Sequence, residues 1–159
     1  MKKAKYLTTA AIIAAIYIIL TLLTNALGLA NGAIQVRFSE SLCVLPIFTP
    51  AAIPGLFIGC FLSNIFTGCV FWDVLFGSLA TLIGAVFTYN LRKCKKIALL
   101  PPILSNTLII PFVLKFAYGL PAGLWYFMLT VCIGEIISCG VLGSLLYRYL
   151  NKYKKHIKW

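Results

Sequence analysis

The feature that most constrains this chain is the long spacing between its charged residues. No Asp, Glu, Lys or Arg occurs in residues 6–36, 41–72, 74–91, 97–114 or 116–134. A helix needs about 20 apolar residues to cross the hydrocarbon core of a bilayer. Only 11% of the chain is charged, whereas a soluble domain carries about a quarter. The sequence therefore predicts an integral membrane protein.

The basic residues are clustered at the ends of the apolar runs, which is the pattern of cytoplasmic loops. We therefore expect both termini and the middle basic loop to lie on the cytoplasmic side of the plasma membrane. The net charge of +11 would also suit a nucleic-acid-binding surface, but clusters at the ends of spans argue against that class. The three clusters are Lys2, Lys3 and Lys5; Arg92, Lys93, Lys95 and Lys96; and Arg148, Lys152, Lys154, Lys155 and Lys158.

Prolines and glycines divide the apolar runs into six predicted helices, at about residues 5–26, 40–49, 52–70, 73–91, 97–118 and 121–149. Asn31-Gly32 is a turn signal, and residues 33–38 alternate like a short strand or an extended loop. The first run is too long for the apolar region of a signal peptide, so we expect a retained helix. The predicted fold is a single all-α membrane domain over residues 1–159, built as a six-helix bundle.

Five charged residues lie outside the basic clusters. Glu135 falls about halfway along the last predicted helix, where a carboxylate is costly and usually faces a cavity or a partner. It is a candidate ligand contact, or alternatively a structural partner of Lys115. Arg37, Glu40 and Asp73 fall near the predicted outer face. They are either solvated loop residues or the rim of a pocket that opens outward.

Uncharged polar and aromatic residues extend this set. Asn64 and Asn106 are amides within predicted helices, able to donate and accept for a ligand, although interhelical hydrogen bonds explain them equally well. Trp72 and Trp125 lie near predicted helix ends. They fit the aromatic belt of the membrane interface, or a wall on which a planar ligand stacks.

The chain has no recognisable catalytic motif. Its single histidine, His156, lies in the basic tail, and the sequence contains no P-loop or nucleophile motif. The six cysteines lack the spacing of a metal site or a disulfide framework. We expect no enzymatic activity, no cofactor and no metal, so the energy for any uphill transport must come from a partner or an ion gradient.

Two pairs of alanines on the first helix have the spacing that lets another helix approach closely. They are Ala10 with Ala14 and Ala11 with Ala15, on adjacent faces. Spacing alone leaves open whether the approaching helix belongs to this chain or to a partner protein.

Several longer stretches of the sequence resemble those of a known protein family. Residues 35–42 read QVRFSESL, residues 45–56 read LPIFTPAAIPGL, and residues 72–82 read WDVLFGSLATL. Together with residues 59–64, these strings resemble the signature of QueT-type proteins. Those proteins are the substrate-binding S components of energy-coupling factor (ECF) transporters that import queuosine precursors. The resemblance extends over essentially the whole chain and is strongest from about residue 33 to 92.

The resemblance implies a six-helix S component that holds its ligand near the outer face. It would dock on one transmembrane coupling protein and two cytoplasmic ATPases, and ATP use there would drive transport by toppling of the S component. The small-residue motif of the first helix would contact the coupling protein through Ala10 and Ala14, with Ala11 and Ala15 as the adjacent option. The ligand would be a 7-deazaguanine, either queuine or an earlier precursor base.

The implied ligand contacts combine carboxylates, amides and aromatic rings. Glu135 or Asp73 would accept the paired N–H groups of a guanine-like edge, an amide would serve the carbonyl, and a tryptophan would stack on the ring. Arg37 and Glu40 match the signature but would form a salt bridge that holds the outer loop. The full set is Glu135, Asp73, Asn64, Asn106, Trp72, Trp125, Arg37 and Glu40.

Two other classes remain open from the sequence. One is a self-sufficient proton- or ion-coupled transporter built around Glu135. The absence of a sustained internal repeat weighs against it. The other is a membrane assembly protein without a ligand, in which the polar residues would serve helix packing.

Overall fold

The apolar runs fold into helices, which make up most of residues 2–30, 34–94 and 97–153, the parts of the chain that the computed structural model describes. Within these ranges there is no β-strand. π-helical turns at Val113–Ala117 and Ile136–Leu142 extend α4 and join α5 to α6. The elements are α1 Lys2–Ala26, a 3-10 helix Phe38–Ile47, α2 Ala52–Phe66, α3 Phe71–Asn90, α4 Leu100–Phe112, α5 Leu124–Glu135 and α6 Gly143–Tyr153.

Four of the helical stretches are long and apolar enough to cross a membrane: Lys3–Ala26, Phe71–Asn90, Leu100–Ala117 and Leu124–Tyr153. The 15 residues of α2 extend only about 22 Å at 1.5 Å per residue. The 3-10 helix has 10 residues and extends about 20 Å. Both fall short of the roughly 30 Å hydrocarbon core. The described chain thus has six helical stretches, as predicted, of which four have the length of a full span.

The second stretch, expected as an ordinary short helix over 40–49, is the 3-10 helix. Pro46 lies inside it and has no backbone N–H, so a regular α-helical hydrogen-bond ladder cannot pass through this segment. The 3-10 helix packs against α1, α3 and α6, and most of its residues are buried. A short helix inside the bundle is what carries the charged side chain of Glu40 into the interior.

Small residues bring α1 and α2 into close contact. A Cβ atom added at Gly55 would lie 2.7 Å from the carbonyl oxygen of Ala10, and one at Gly59 would lie 3.1 Å from that of Ala14. Ala10 and Ala14 are 7% and 6% exposed. The expectation that this pair contacts a partner protein is therefore wrong, because α2 already occupies that face of α1.

The adjacent pair of alanines on α1 is not covered by another helix within the described structure. Ala11 and Ala15 are both exposed, on the side of α1 turned away from α2. Leu7 and Leu22, which share this side at helical spacing, are 66% and 41% exposed. Of the two small-residue pairs, only Ala11 and Ala15 leave room for the close approach of another helix.

The segment before the 3-10 helix is an extended loop and not a strand. Arg37 has φ −115° and ψ 112°, and its backbone N–H donates to Ser138 Oγ at 3.0 Å. The N–H of Phe38 donates to Thr24 Oγ1 at 3.2 Å. These bonds fasten the loop to α1 and to the α5–α6 run. The predicted Asn31-Gly32 turn, Lys95, Lys96 and the tail from Lys154 onward, with His156, lie outside the described residues.

Candidate functional site

A polar cavity of about 360 Å³ lies at the end of the bundle where α1 and α2 end and α3 begins. We call it the main cavity. Its volume is in the range of small-molecule sites. Polar side chains from α1, the extended loop, α2 and α3 line it together with residues around the end of α4. These polar residues are Thr21, Thr24, Asn25, Gln35, Arg37, Asn64, Thr67, Cys69, Asp73 and Tyr118.

A small inner pocket of about 20 Å³ adjoins the main cavity. Gln35, Arg37 and Ile110 line both spaces, so the inner pocket is the deep end of the main cavity. Its volume suffices for about one water molecule. Its other polar residues are Glu40, Cys60, Thr81, Asn106 and Glu135.

Glu135 lies in this inner pocket, at the junction of α5 with the π-helical turn, and is 9% exposed. The Asn106 side-chain amide donates to its Oε1 at 3.0 Å, and the Cys139 thiol donates to its Oε2 at 3.2 Å. The alternative pairing with Lys115 is wrong. Lys115 donates instead to the carbonyl oxygen of Ala122 at 3.0 Å and stabilises the turn that follows α4.

Glu40 is 2% exposed, and both of its carboxylate oxygens accept hydrogen bonds. The Tyr17 hydroxyl donates to Oε1, and the Cys43 thiol donates to Oε2 at 3.1 Å. Within the described ranges, no ion pair joins Glu40 to Arg37. The expected salt bridge is wrong, because Tyr17 and Cys43 hold the Glu40 carboxylate inside the bundle while Arg37 lines the cavity.

Asp73 lies in the first turn of α3 and is 4% exposed. The Tyr118 hydroxyl donates to its Oδ2 at 2.9 Å. Its other carboxylate oxygen, Oδ1, is buried and has no hydrogen-bond partner. The Asn64 side-chain amide donates to the Asp73 backbone carbonyl at 3.4 Å. This bond ties the end of α2 to the start of α3 beside the cavity.

Two thiols and a carboxylate meet next to the inner pocket. The ligating atoms of Glu40, Cys43 and Cys139 lie within 4.8 Å of one another, close enough to hold a metal ion. The Cys43 thiol donates to Glu40 and the Cys139 thiol donates to Glu135. Cysteine spacing missed this cluster because the two thiols are far apart in sequence. The available signal was the helical spacing of Glu40 with Cys43 and of Glu135 with Cys139.

The two tryptophans do not reach the cavity. Trp72 is 53% exposed and stacks on Phe76, with 5.9 Å between ring centroids. Trp125 is 84% exposed. These positions fit the membrane-interface interpretation better than the stacking interpretation. The aromatic side chain that lines the main cavity, among the described residues, is Tyr118, which the sequence analysis did not single out.

The remaining candidate residues lie together at the two adjoining cavities. Arg37, Asn64 and Asp73 line the main cavity, and Arg37, Glu40, Asn106 and Glu135 line the inner pocket. All three acidic residues of the chain thus lie at one continuous site inside an apolar bundle. Such an arrangement of fixed donors and acceptors suits the binding of a small polar molecule.

Comparison with known proteins identifies the family of this bundle. The family model described as QueT transporter matches residues 7–152. The queuosine precursor transporter QueT of Lactococcus lactis subsp. cremoris (strain MG1363) is 40% identical over 85 residues, or 52% of this chain. The aligned region covers 50% of that relative, and no solved structure gives a significant match. Because the family match extends from α1 into α6, the chain belongs to the QueT transporter family.

Proposed function

We propose that this chain is the substrate-binding S component of an ECF-type importer and that its ligand is a 7-deazaguanine, either queuine or a queuosine precursor. The observation that carries the proposal is the convergence of Glu40, Asp73 and Glu135 on one cavity in a chain with no other acidic residues. Family membership and the printed function of the Lactococcus relative support the choice of ligand class.

The dimensions of the site suggest how the base would bind. The inner pocket holds about one water molecule, so the ring would occupy the main cavity with one polar edge directed inward. That edge would meet Glu135 and Asn106, which are already joined by a hydrogen bond of 3.0 Å. A carboxylate accepts the adjacent N–H groups of a guanine-like edge, and the Arg37 guanidinium can donate to the carbonyl oxygen.

The orientation of the chain follows from its charges. Arg92 and Lys93 come directly after α3, and Arg148 and Lys152 lie in α6. The cavity lies near the opposite ends of these helices. With the basic clusters on the cytoplasmic side of the plasma membrane, both termini are cytoplasmic and the cavity opens to the outside.

The energy source is proposed to be external to the chain. A transmembrane coupling protein would pack on the exposed Ala11 and Ala15 side of α1, and two cytoplasmic ATPases would drive toppling of the S component. The corrected choice of alanines rests on burial, because Ala10 and Ala14 are occupied by α2.

Calorimetry on the purified protein tests the proposal. We expect saturable binding of queuine or of a precursor base, and Glu135→Gln should weaken it about tenfold or more through loss of a charge-assisted hydrogen bond. Trp125→Leu, at an exposed position off the cavity, is the matched control and should bind normally. If the wild-type protein binds no 7-deazaguanine, the substrate assignment fails. If a proton gradient alone drives uptake of the base into vesicles without ATPases, the protein is an ion-coupled transporter instead.

A further inference from the structure

The three acidic residues differ in how their oxygens are used. Both carboxylate oxygens of Glu40 and both of Glu135 accept hydrogen bonds from protein groups. Asp73 Oδ2 accepts one from Tyr118, but Asp73 Oδ1 is buried and accepts none. A buried carboxylate oxygen without a donor is costly, and such groups usually have an explanation. Its place in the wall of the main cavity suggests that the missing donor belongs to a ligand.

One unsatisfied acceptor therefore lies in this part of the wall. A Cβ atom added at Gly77 would lie 3.3 Å from Asp73 Oδ1 and 3.1 Å from Asn64 Nδ2. The Asn64 nitrogen donates to the Asp73 backbone carbonyl, so it is not the donor that this carboxylate oxygen lacks. The complement of Asp73 Oδ1 is a group with an N–H donor.

The Asp73 carboxylate favours a charged donor from the ligand. Asp73 lines the main cavity, and Arg37 forms no ion pair with it within the described parts of the chain. A protonated amine forms a stronger hydrogen bond to a carboxylate oxygen than an uncharged donor does.

We propose that Asp73 forms a subsite for a protonated amine carried on the side arm of the ligand. This inference rests on the proposed function and selects among its ligands. With the base edge directed to Glu135, the arm extends into the wider part of the cavity, and its ammonium donates to Asp73 Oδ1. A nitrile arm has no donor and leaves Asp73 Oδ1 unpaired. The site therefore prefers 7-deazaguanines with an amine-bearing arm.

Calorimetry with two bases that differ only in the arm tests this selectivity. The wild-type protein should bind 7-aminomethyl-7-deazaguanine at least about tenfold more tightly than 7-cyano-7-deazaguanine, which is the scale of one charged hydrogen bond. Asp73→Asn keeps the size of the side chain and removes its charge. It should weaken binding of the aminomethyl base about tenfold or more and change binding of the cyano base less than about threefold.

Glu135→Gln is the matched carboxylate-to-amide control, and it should weaken both bases by a similar factor. If Asp73→Asn does not fold, the wild-type protein can be titrated with the N-acetylated aminomethyl base, whose arm is uncharged. It should bind at least about tenfold more weakly than the free amine. Equal binding of amine and nitrile, or equal weakening of both by Asp73→Asn, would overturn the amine subsite and leave the proposed function intact. Failure of both bases and of queuine to bind would refute the proposed function itself.

Discussion

Leucine substitutions at neighbouring alanines of α1 should separate its two small-residue faces. Ala14 is 6% exposed, and its carbonyl oxygen lies 3.1 Å from the position of a Cβ atom on Gly59. An isopropyl group added at Ala14 has no space there, and overpacking of this kind costs about 1–3 kcal/mol. Ala15 is exposed, so Ala15→Leu should change the free energy of unfolding by less than about 0.5 kcal/mol.

The same two variants should rank in the opposite order when binding to the coupling protein is measured. A bulky side chain at Ala15 prevents the close approach that small residues allow. We expect Ala15→Leu to reduce copurification with the coupling protein at least severalfold, while binding of the free base stays normal. Thermal unfolding in detergent measures the first effect, and capture by a tagged coupling protein measures the second. The reasoning is refuted if Ala14→Leu is as stable as the wild type, or if Ala15→Leu captures the full complex.

Three further substitutions test the site. Tyr17→Phe removes the hydroxyl that donates to buried Glu40 and should cost about 1–3 kcal/mol of stability; an unchanged thermal unfolding midpoint would contradict this. Gly134→Ala would place a Cβ atom against the carbonyl oxygen of Gln35, closer than van der Waals contact. It should displace the extended loop and weaken ligand binding severalfold in calorimetry, so wild-type affinity would count against the assigned site. Gly77→Ala places a methyl group 3.3 Å from Asp73 Oδ1, and should weaken the aminomethyl base more than the cyano base; the reverse order would be inconsistent with the subsite.

The helices could be predicted from the sequence because the physics of a bilayer is restrictive. A run of apolar residues without charge has few stable conformations in lipid other than a helix. Span length was less predictable. The run over residues 41–72 is too long for one span and is divided at its prolines, as predicted. The two stretches are a 3-10 helix and an α-helix of 15 residues, and neither reaches across a membrane.

The polar part of the site was predictable for the same reason. Charges and amides inside apolar helices are costly, so they tend to face one another or a cavity. The structure accordingly brings together six of the residues singled out in the sequence: Arg37, Glu40, Asn64, Asp73, Asn106 and Glu135.

Features that depend on the rotation of a helix could not be predicted. The α1 helix is apolar on most of its circumference, so no polar stripe indicates which side faces the bundle. The choice between the faces of Ala10 and Ala11 therefore required the structure. The same holds for Tyr118, which takes part in the cavity through a turn whose path the sequence does not specify.

The most direct test of the central claim is mass spectrometry of the small molecule that copurifies with the protein from cells supplied with queuosine precursors. The variant with both Glu135→Gln and Asp73→Asn provides the background. We predict that the wild-type protein releases a 7-deazaguanine with an amine-bearing arm in near-stoichiometric amount and that the double variant releases little. Absence of any 7-deazaguanine from the wild-type protein, or equal amounts from both proteins, would contradict the account.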